Sequence, residues 1–253
     1  MDRLQNINLD ETAFFFDFDG TLVDICPKPQ EIVIANDLPN ILAIINEKTH
    51  NAMAIISGRK TEEIEQLLKI PLNIAGIHGA VIKNINGELI TASESADFAE
   101  ARQYMKSHAE EQSLLYIEDK GLSIAIHYRN KDSYMNIKLK KQAYDLALSA
   151  LELCKDNYEL QFGKLVIELK PKGQNKGTAL DYFMNQPNFK NRLPLCFGDD
   201  ITDYSMFAAA KKYNGFAYKI EENTKSNENK GWANIATPKQ LRNILQQMIE
   251  LNK

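Results

Sequence analysis

The sequence predicts an α/β fold, a doubly wound parallel sheet interrupted by a smaller α+β unit. Three observations predict it. Short apolar runs, such as Phe14-Phe15-Phe16 and the stretch Asn51–Ile56, alternate with helix-period segments, as strands buried on both faces by crossover helices do. Acids, hydroxyls and glycines follow directly where such runs end, as they do at the carboxyl edge of an open α/β sheet. From residue 98 to 171 the pattern changes to paired strands with long helices. The domains read as 1–97 with 172–253 for the core and 98–171 for the insert.

In order, Ala13–Phe18 reads as a buried strand and Leu38–Glu47 as a helix with Pro39 in its first turn. Asn51–Ile56 is a second strand, ending at Ser57-Gly58-Arg59. Thr61–Leu68 is a helix with Thr61 as N-cap and Glu62 and Glu63 in its first turn, where the helix dipole favours acid. Ile74–Ile77 is a third strand, and Val81–Ile85 pairs with Glu88–Ile90 around Asn86-Gly87. The insert reads αββαββ: helix Phe98–Glu111, strands Leu114–Glu118 and Leu122–Arg129, helix Ser133–Cys154, then a hairpin of Tyr158–Phe162 and Lys164–Lys170 about Gly163. A helix from Gly177, strand Leu193–Phe197, helix Tyr204–Lys211, strand Gly215–Ile220 and helix Pro238–Leu251 complete the core. Asn223–Gly231 reads as a polar loop and the most mobile segment.

In the insert, Leu122, Ile124 and Ile126 alternate with Ser123, Ala125, His127 and Arg129. Leu165, Ile167 and Leu169 alternate with Lys164, Val166, Glu168 and Lys170. Each strand thus offers one apolar and one polar face. The polar face is either solvated or a sugar-binding surface, since hydroxyls need donors and acceptors together.

A chain of 253 residues with 44% hydrophobic and 25% charged residues has the composition of a globular enzyme. A net charge of -4 argues against a nucleic-acid surface. Three widely spaced cysteines suggest a reducing compartment without disulfides. With no apolar leader and no membrane-length run, the expected location is the cytoplasm.

The sharpest chemistry sits at Asp17-Phe18-Asp19-Gly20-Thr21. Strand alternation points Asp17 and Asp19 the same way, and two adjacent buried acids need a cation or a shared proton. A hard metal is implied, with Mg²⁺ and a phosphorylated substrate the usual occupants. An EF-hand loop fails on spacing, because Thr21, Leu22 and Lys28 fall where it needs an acid or amide, glycine and glutamate. No Walker loop or G-x-G-x-x-G occurs. Ser57-Gly58-Arg59, Lys176-Gly177-Thr178 and Gly198-Asp199-Asp200 with Asp203 are the other polar strand ends or loops. The carboxyl ends of parallel strands share one crevice, so these converge with Asp17 and Asp19.

This ordered set resembles the haloacid dehalogenase-like (HAD) phosphatases, whose pattern is Asp-x-Asp-x-Thr, then Ser or Thr, then Lys, then paired acids. Over nearly the whole chain it is similar to their trehalose-6-phosphate phosphatase branch. The residues that carry this are Ile25-x-Pro27-x-Pro29, Gly76-x-His78-Gly79-Ala80, His127-Tyr128-Arg129 and Gly163-Lys164-x-Val166-x-Glu168-x-Lys170-Pro171. Val81 and Tyr204 stand where that branch often has Glu.

The resemblance implies a HAD-like core with an inserted cap. It implies Asp17 as nucleophile, Asp19 as general acid and base, and Lys176 as a catalytic charge on the phosphoryl group. Mg²⁺ would be held by Asp17, Asp199 and the Asp19 carbonyl, with Asp200 and Asp203 in support. Substrate binding would fall to Thr21, Ser57, Gly58, Arg59 and His78 in the core and to Arg129, Lys164 and Glu168 in the cap. The implied substrate is a phosphorylated disaccharide, trehalose 6-phosphate, with neither nucleic acid nor membrane as partner and a monomer as the expected state. The alternatives are another sugar phosphate, such as sucrose phosphate or mannosyl phosphoglycerate, or a silent regulatory subunit.

Overall fold

The computed structural model describes residue 4 and residues 7–26, 31–110, 114–129, 133–222 and 231–252. Pro27, Pro29 and residues 223–230 of the polar loop lie outside them. The chain forms two compact units, Met1–Ile90 with Asn175–Lys253, and Thr91–Gln174.

The first unit begins β1 (Thr12–Phe16), α1 (Leu38–Lys48), β2 (Met53–Ile56), α2 (Thr61–Leu68), β3 (Asn73–Gly76), β4 (Val81–Lys83) and β5 (Leu89–Thr91). The second unit holds α3 (Ala96–Glu110), β6 (Tyr116–Asp119), β7 (Ile124–His127), α4 (Ser133–Cys154), β8 (Tyr158–Gly163) and β9 (Val166–Pro171). The chain then returns through α5 (Lys176–Met184), β10 (Leu193–Gly198), α6 (Tyr204–Lys212), β11 (Phe216–Ile220), β12 (Ala233–Ile235) and α7 (Pro238–Leu251).

The large sheet has the order β12-β11-β10-β1-β2-β3-β4-β5. Strands β12 through β3 run parallel, and β4 is antiparallel to β3. From β1 the chain moves outward to β2 and β3; after the second unit it starts again at β10 on the other side of β1 and moves outward to β12. The order therefore reverses between β1 and β10, the place where an open α/β sheet leaves a crevice beyond its strand ends.

The three phenylalanines of β1 explain its central position. Phe14 and Phe16 face one layer, where Phe16 stacks on Phe197 at 5.0 Å between ring centroids. Phe15 faces the other layer and meets Phe189 at 5.6 Å and Phe183 at 6.4 Å. All three are fully buried, each stabilising the fold by about 1.5–3 kcal/mol. Replacing Phe15 by Ala would open a cavity on the α5/α6 side alone.

The second unit is a four-stranded antiparallel sheet of order β6-β7-β9-β8 with two helices. Ile124, Ile126, Ile167 and Leu169 pack with Phe98, Leu139, Ala143 and Leu146 of α3 and α4. This is the expected αββαββ cap.

Four local expectations change. Thr61 is the first residue of α2, and Lys60 takes the N-cap position with no side-chain capping bond. Strand β1 ends at Phe16, and the amides of Thr21, Leu22 and Val23 all turn back onto the Phe18 carbonyl. The ladder reaches Asp17, whose amide bonds the Phe197 carbonyl at 2.9 Å, and the turn at Phe18 takes Asp19 out of it. Strand β9 begins at Val166, because Gly163 pairs with Val166 and leaves Lys164 and Leu165 as the hairpin turn, Leu165 at φ 63°. Lys164 and Glu168 thus do not share a strand. Strand β12 was not expected from its short, half-polar sequence.

Candidate active site

Asp17 follows the last residue of β1 and Asp199 follows the end of β10, so the two acids meet at the reversal point of the sheet. Asp17 is 5% exposed. Lys176 opens α5, whose N-terminus is fixed by a capping box: the Asn175 side chain accepts from the Gly177 and Thr178 amides, and Thr178 Oγ1 accepts from the Asn175 amide. That cap aims Lys176 inward. Its Nζ donates to Asp17 Oδ1 at 2.5 Å and to Asp203 Oδ1 at 2.7 Å. Asp203, fully buried, uses its other oxygen to accept the amides of Asp199 and Asp200, both at 2.9 Å. One carboxylate therefore ties the lysine to the loop that carries Asp199.

The electrostatics describe a site short of positive charge. Burial pushes Asp17 well above the ordinary carboxylate range; Lys176 opposes this, while Asp203 and Asp199 add to it. Asp199 is pushed up to about 7, first by burial and then by Asp203, with Lys176 again opposing. Burial alone would lower Lys176, but Asp17 and Asp203 outweigh it and keep the ammonium charged. Asp17, Asp199 and Asp203 each offer a carboxylate oxygen within 4.8 Å of one another. Of these, Asp203 already accepts from Lys176 and two amides, which leaves Asp17 and Asp199 as the better donors to a cation. A Cβ on Gly20, which has φ +81°, would lie 2.3 Å from Asp199 Oδ2. Only glycine lets the first loop approach the second acid. This oxygen-only, under-compensated set fits a hard divalent cation.

The remaining core candidates lie on the loops and turns that follow β1, β2, β3 and β10. Thr21 is fully buried, its hydroxyl 3.4 Å from Asp17 Oδ2. Ser57 is 1% exposed and its Oγ accepts the Arg59 amide at 3.2 Å. His78 lies against Gly58 so closely that a Cβ there would be 2.8 Å from its Nε2. Arg59 grips Asp19, with Nε and Nη2 each 2.7 Å from one carboxylate oxygen. Asp200 caps the short turn after β10 by accepting the Ile201 amide.

In the cap, Arg129 and Lys164 are exposed, at the end of β7 and in the β8–β9 turn. Glu168 is 3% exposed, accepting Ser123 Oγ at 2.5 Å and Lys120 Nζ at 2.9 Å. Its register row across the sheet is Glu118, Ala125, Glu168 and Gln161. Glu118 accepts from or pairs with His127 Nε2 at 2.8 Å. Burial would raise Glu118, yet the His127 bond and the Lys120 charge hold it below its ordinary range. Ser123 was expected on this polar face, whereas Glu118 and Lys120 were not named as its neighbours. The available signal was their alternation, Glu118-x-Lys120 facing Ser123-x-Ala125-x-His127 across one tight turn.

A sequence model described as trehalose-phosphatase matches residues 15–240. A probable trehalose-phosphate phosphatase of Sinorhizobium fredii is 32% identical over 97% of this chain and 90% of its own length. The trehalose-6-phosphate phosphatase of Escherichia coli K12 is 33% identical over 82% of this chain and 77% of its own length. The C-terminal domain of C. albicans trehalose-6-phosphate phosphatase superposes with a TM-score of 0.82 at 23% identity, covering 98% of this chain and 96% of that one. The fold is HAD-like, and the chain belongs to the trehalose-phosphatase family.

Proposed function

We propose that this chain is a Mg²⁺-dependent phosphatase that converts trehalose 6-phosphate to trehalose and phosphate. The observation that carries the reading is the buried Asp17–Lys176–Asp203 chain with Asp199 beside it, set at the reversal point of the sheet. Asp17 attacks phosphorus, forming an aspartyl-phosphate as the bond to the sugar oxygen breaks. Asp19 gives a proton to that leaving oxygen. A water then attacks the same phosphorus, its proton passes to Asp19, and the Asp17–phosphorus bond breaks to release phosphate. Lys176, Ser57, Gly58 and Thr21 hold phosphoryl oxygens, and Asp203 keeps Lys176 in place. Mg²⁺, held by Asp17, Asp199 and the Asp19 carbonyl with Asp200 in support, would neutralise charge on the phosphoryl group.

Sugar recognition is assigned to the cap residues Arg129, Lys164 and Glu168. The paired acids and bases beside Glu168 support this, since a disaccharide needs fixed acceptors and donors close together. The test is covalent trapping. Rapid acid quench during turnover should yield protein heavier by one phosphoryl group at Asp17, and Asp17→Asn should yield neither adduct nor product. Steady turnover by that variant would reject the assignment.

A further inference from the structure

Arg59 carries an inference that rests on this phosphatase reading and sharpens it. Its guanidinium presents two parallel N–H donors to Asp19, Nε to Oδ2 and Nη2 to Oδ1, both at 2.7 Å. This fork-to-carboxylate geometry fixes a side chain in angle as well as distance, which a lysine cannot do. The two partners differ in freedom: the Arg59 side chain is 11% exposed and the Asp19 side chain 38%.

The arginine is braced from several directions. Its guanidinium lies 5.8 Å from the centre of the Phe18 ring, and Nη1 is 3.5 Å from Glu63 Oε2. Its carbonyl accepts the Ile77 amide at 2.9 Å, and a Cβ on Gly76 would sit 2.8 Å from that carbonyl oxygen. Ile77 and His78 both adopt left-handed backbone, φ 50° and 55°. For a β-branched residue this conformation is unfavourable and persists only where surrounding contacts enforce it. The His78 amide bonds the Ser57 carbonyl at 2.9 Å, so the strained turn holds the Ser57–Arg59 loop at both ends.

We propose that Arg59 is a positioning residue for the proton-transfer step and acts through Asp19, rather than as a ligand for the substrate. With both oxygens on the fork, Asp19 has none directed at a leaving group. Rotation that keeps one N–H···O contact turns the other oxygen outward at a fixed distance from the braced arginine. Arg59 thus sets the arc on which the proton is delivered to the leaving oxygen and later taken from water.

The test uses aryl phosphates, which carry no sugar and differ in their need for a proton on the leaving oxygen. 4-Nitrophenol leaves without protonation, whereas phenol benefits from it. Phosphate release would be measured for wild type, Arg59→Met, Asp19→Asn and the double variant. In Arg59→Met the ratio of kcat/KM for phenyl phosphate to that for 4-nitrophenyl phosphate should fall by about 10-fold or more, a part of the roughly 10²–10⁴-fold that general acid catalysis contributes. In the Asp19→Asn background, the same substitution should change kcat/KM by less than about 3-fold, because its route of action is already gone. Should Arg59→Met fold poorly, Arg59→Lys serves, since it keeps the charge and loses the fork; its ratio should fall in the same direction. Equal losses on both substrates, or multiplicative losses in the double variant, would overturn the inference and place Arg59 on the phosphoryl group or in the fold. A wild-type protein inactive on every phosphate ester would reject the phosphatase reading itself, and the inference with it.

Discussion

Replacing Lys176 by Met should destabilise the protein strongly, and more at pH 8 than at pH 5. The ammonium lies between Asp17 and Asp203 at 2.5 and 2.7 Å, with Lys176, Asp17 and Asp203 at 3%, 5% and 0% exposure. Methionine fills most of the space of the lysine stem, so the loss is chiefly electrostatic. Removing one partner of a buried ion pair costs about 3–5 kcal/mol, because the other partner stays buried and unpaired. Here two carboxylates are stranded, with Asp199 beside them, so the upper part of that range is expected at pH 8. At pH 5 Asp199, pushed up to about 7, keeps its proton, and burial pushes Asp17 in the same direction, so less buried negative charge needs a cation and the penalty should shrink by about half or more. Urea denaturation at both pH values, with unchanged slope on denaturant, measures this directly. Saturating Mg²⁺ should return part of the lost stability by binding the folded state. A variant within about 1 kcal/mol of wild type at pH 8, or an equal penalty at both pH values, would refute the reasoning.

Gly20→Ala should weaken divalent-cation binding by about 10-fold or more, since its Cβ would lie 2.3 Å from Asp199 Oδ2 at a φ of +81°; titration calorimetry with Mg²⁺ reads it, and unchanged affinity would contradict it. Asp199 makes metal-free stability fall as pH rises. Folded Asp199 keeps its proton up to about 7 while the unfolded group loses it near its ordinary 3.8, so the folded state binds more protons across that window and stability declines with rising pH. Asp199→Asn should therefore be more stable than wild type at pH 8 in chelator, by at most about 4 kcal/mol. The two should converge near pH 4, and parallel melting curves across the range would contradict this. Glu168→Gln should lower kcat/KM for trehalose 6-phosphate by about 10-fold or more and lower 4-nitrophenyl phosphate hydrolysis far less. Gln is the better probe, because Ala would leave Ser123 and Lys120 without the acceptor that the structure gives them.

The large-scale design was legible because burial writes itself into composition. Phe14, Phe15 and Phe16 read as a strand covered on both sides, with the acids that follow at its open end. The paired strands of the cap followed equally from alternation and from Lys120-Gly121. What the sequence withheld was partnership. Asp17 and Asp19 are two residues apart, yet the turn beyond Phe16 gives Lys176 to one and Arg59 to the other. Alternation marked Glu168 and Lys170 as polar-faced but not that both would be nearly sealed, on Lys120 and Ser123 in one case and on Glu159 and the Gln174 carbonyl in the other. Tyr204 receives the Lys219 ammonium on its hydroxyl at 3.1 Å and stacks on Trp232. Such pairings join residues far apart in the chain, and no local period encodes them.

The central claim is hydrolysis of trehalose 6-phosphate, and its most direct measurement is the initial rate of phosphate release with Mg²⁺ from a panel of trehalose, sucrose, glucose and mannose phosphates and mannosyl phosphoglycerate. The account predicts the highest kcat/KM on trehalose 6-phosphate, by about 10-fold or more over every other ester, with release abolished by chelator and by Asp17→Asn. Preference for another ester would move the substrate and leave the core chemistry standing. Absence of phosphate release from every ester, by a folded and Mg²⁺-saturated protein, would contradict the account.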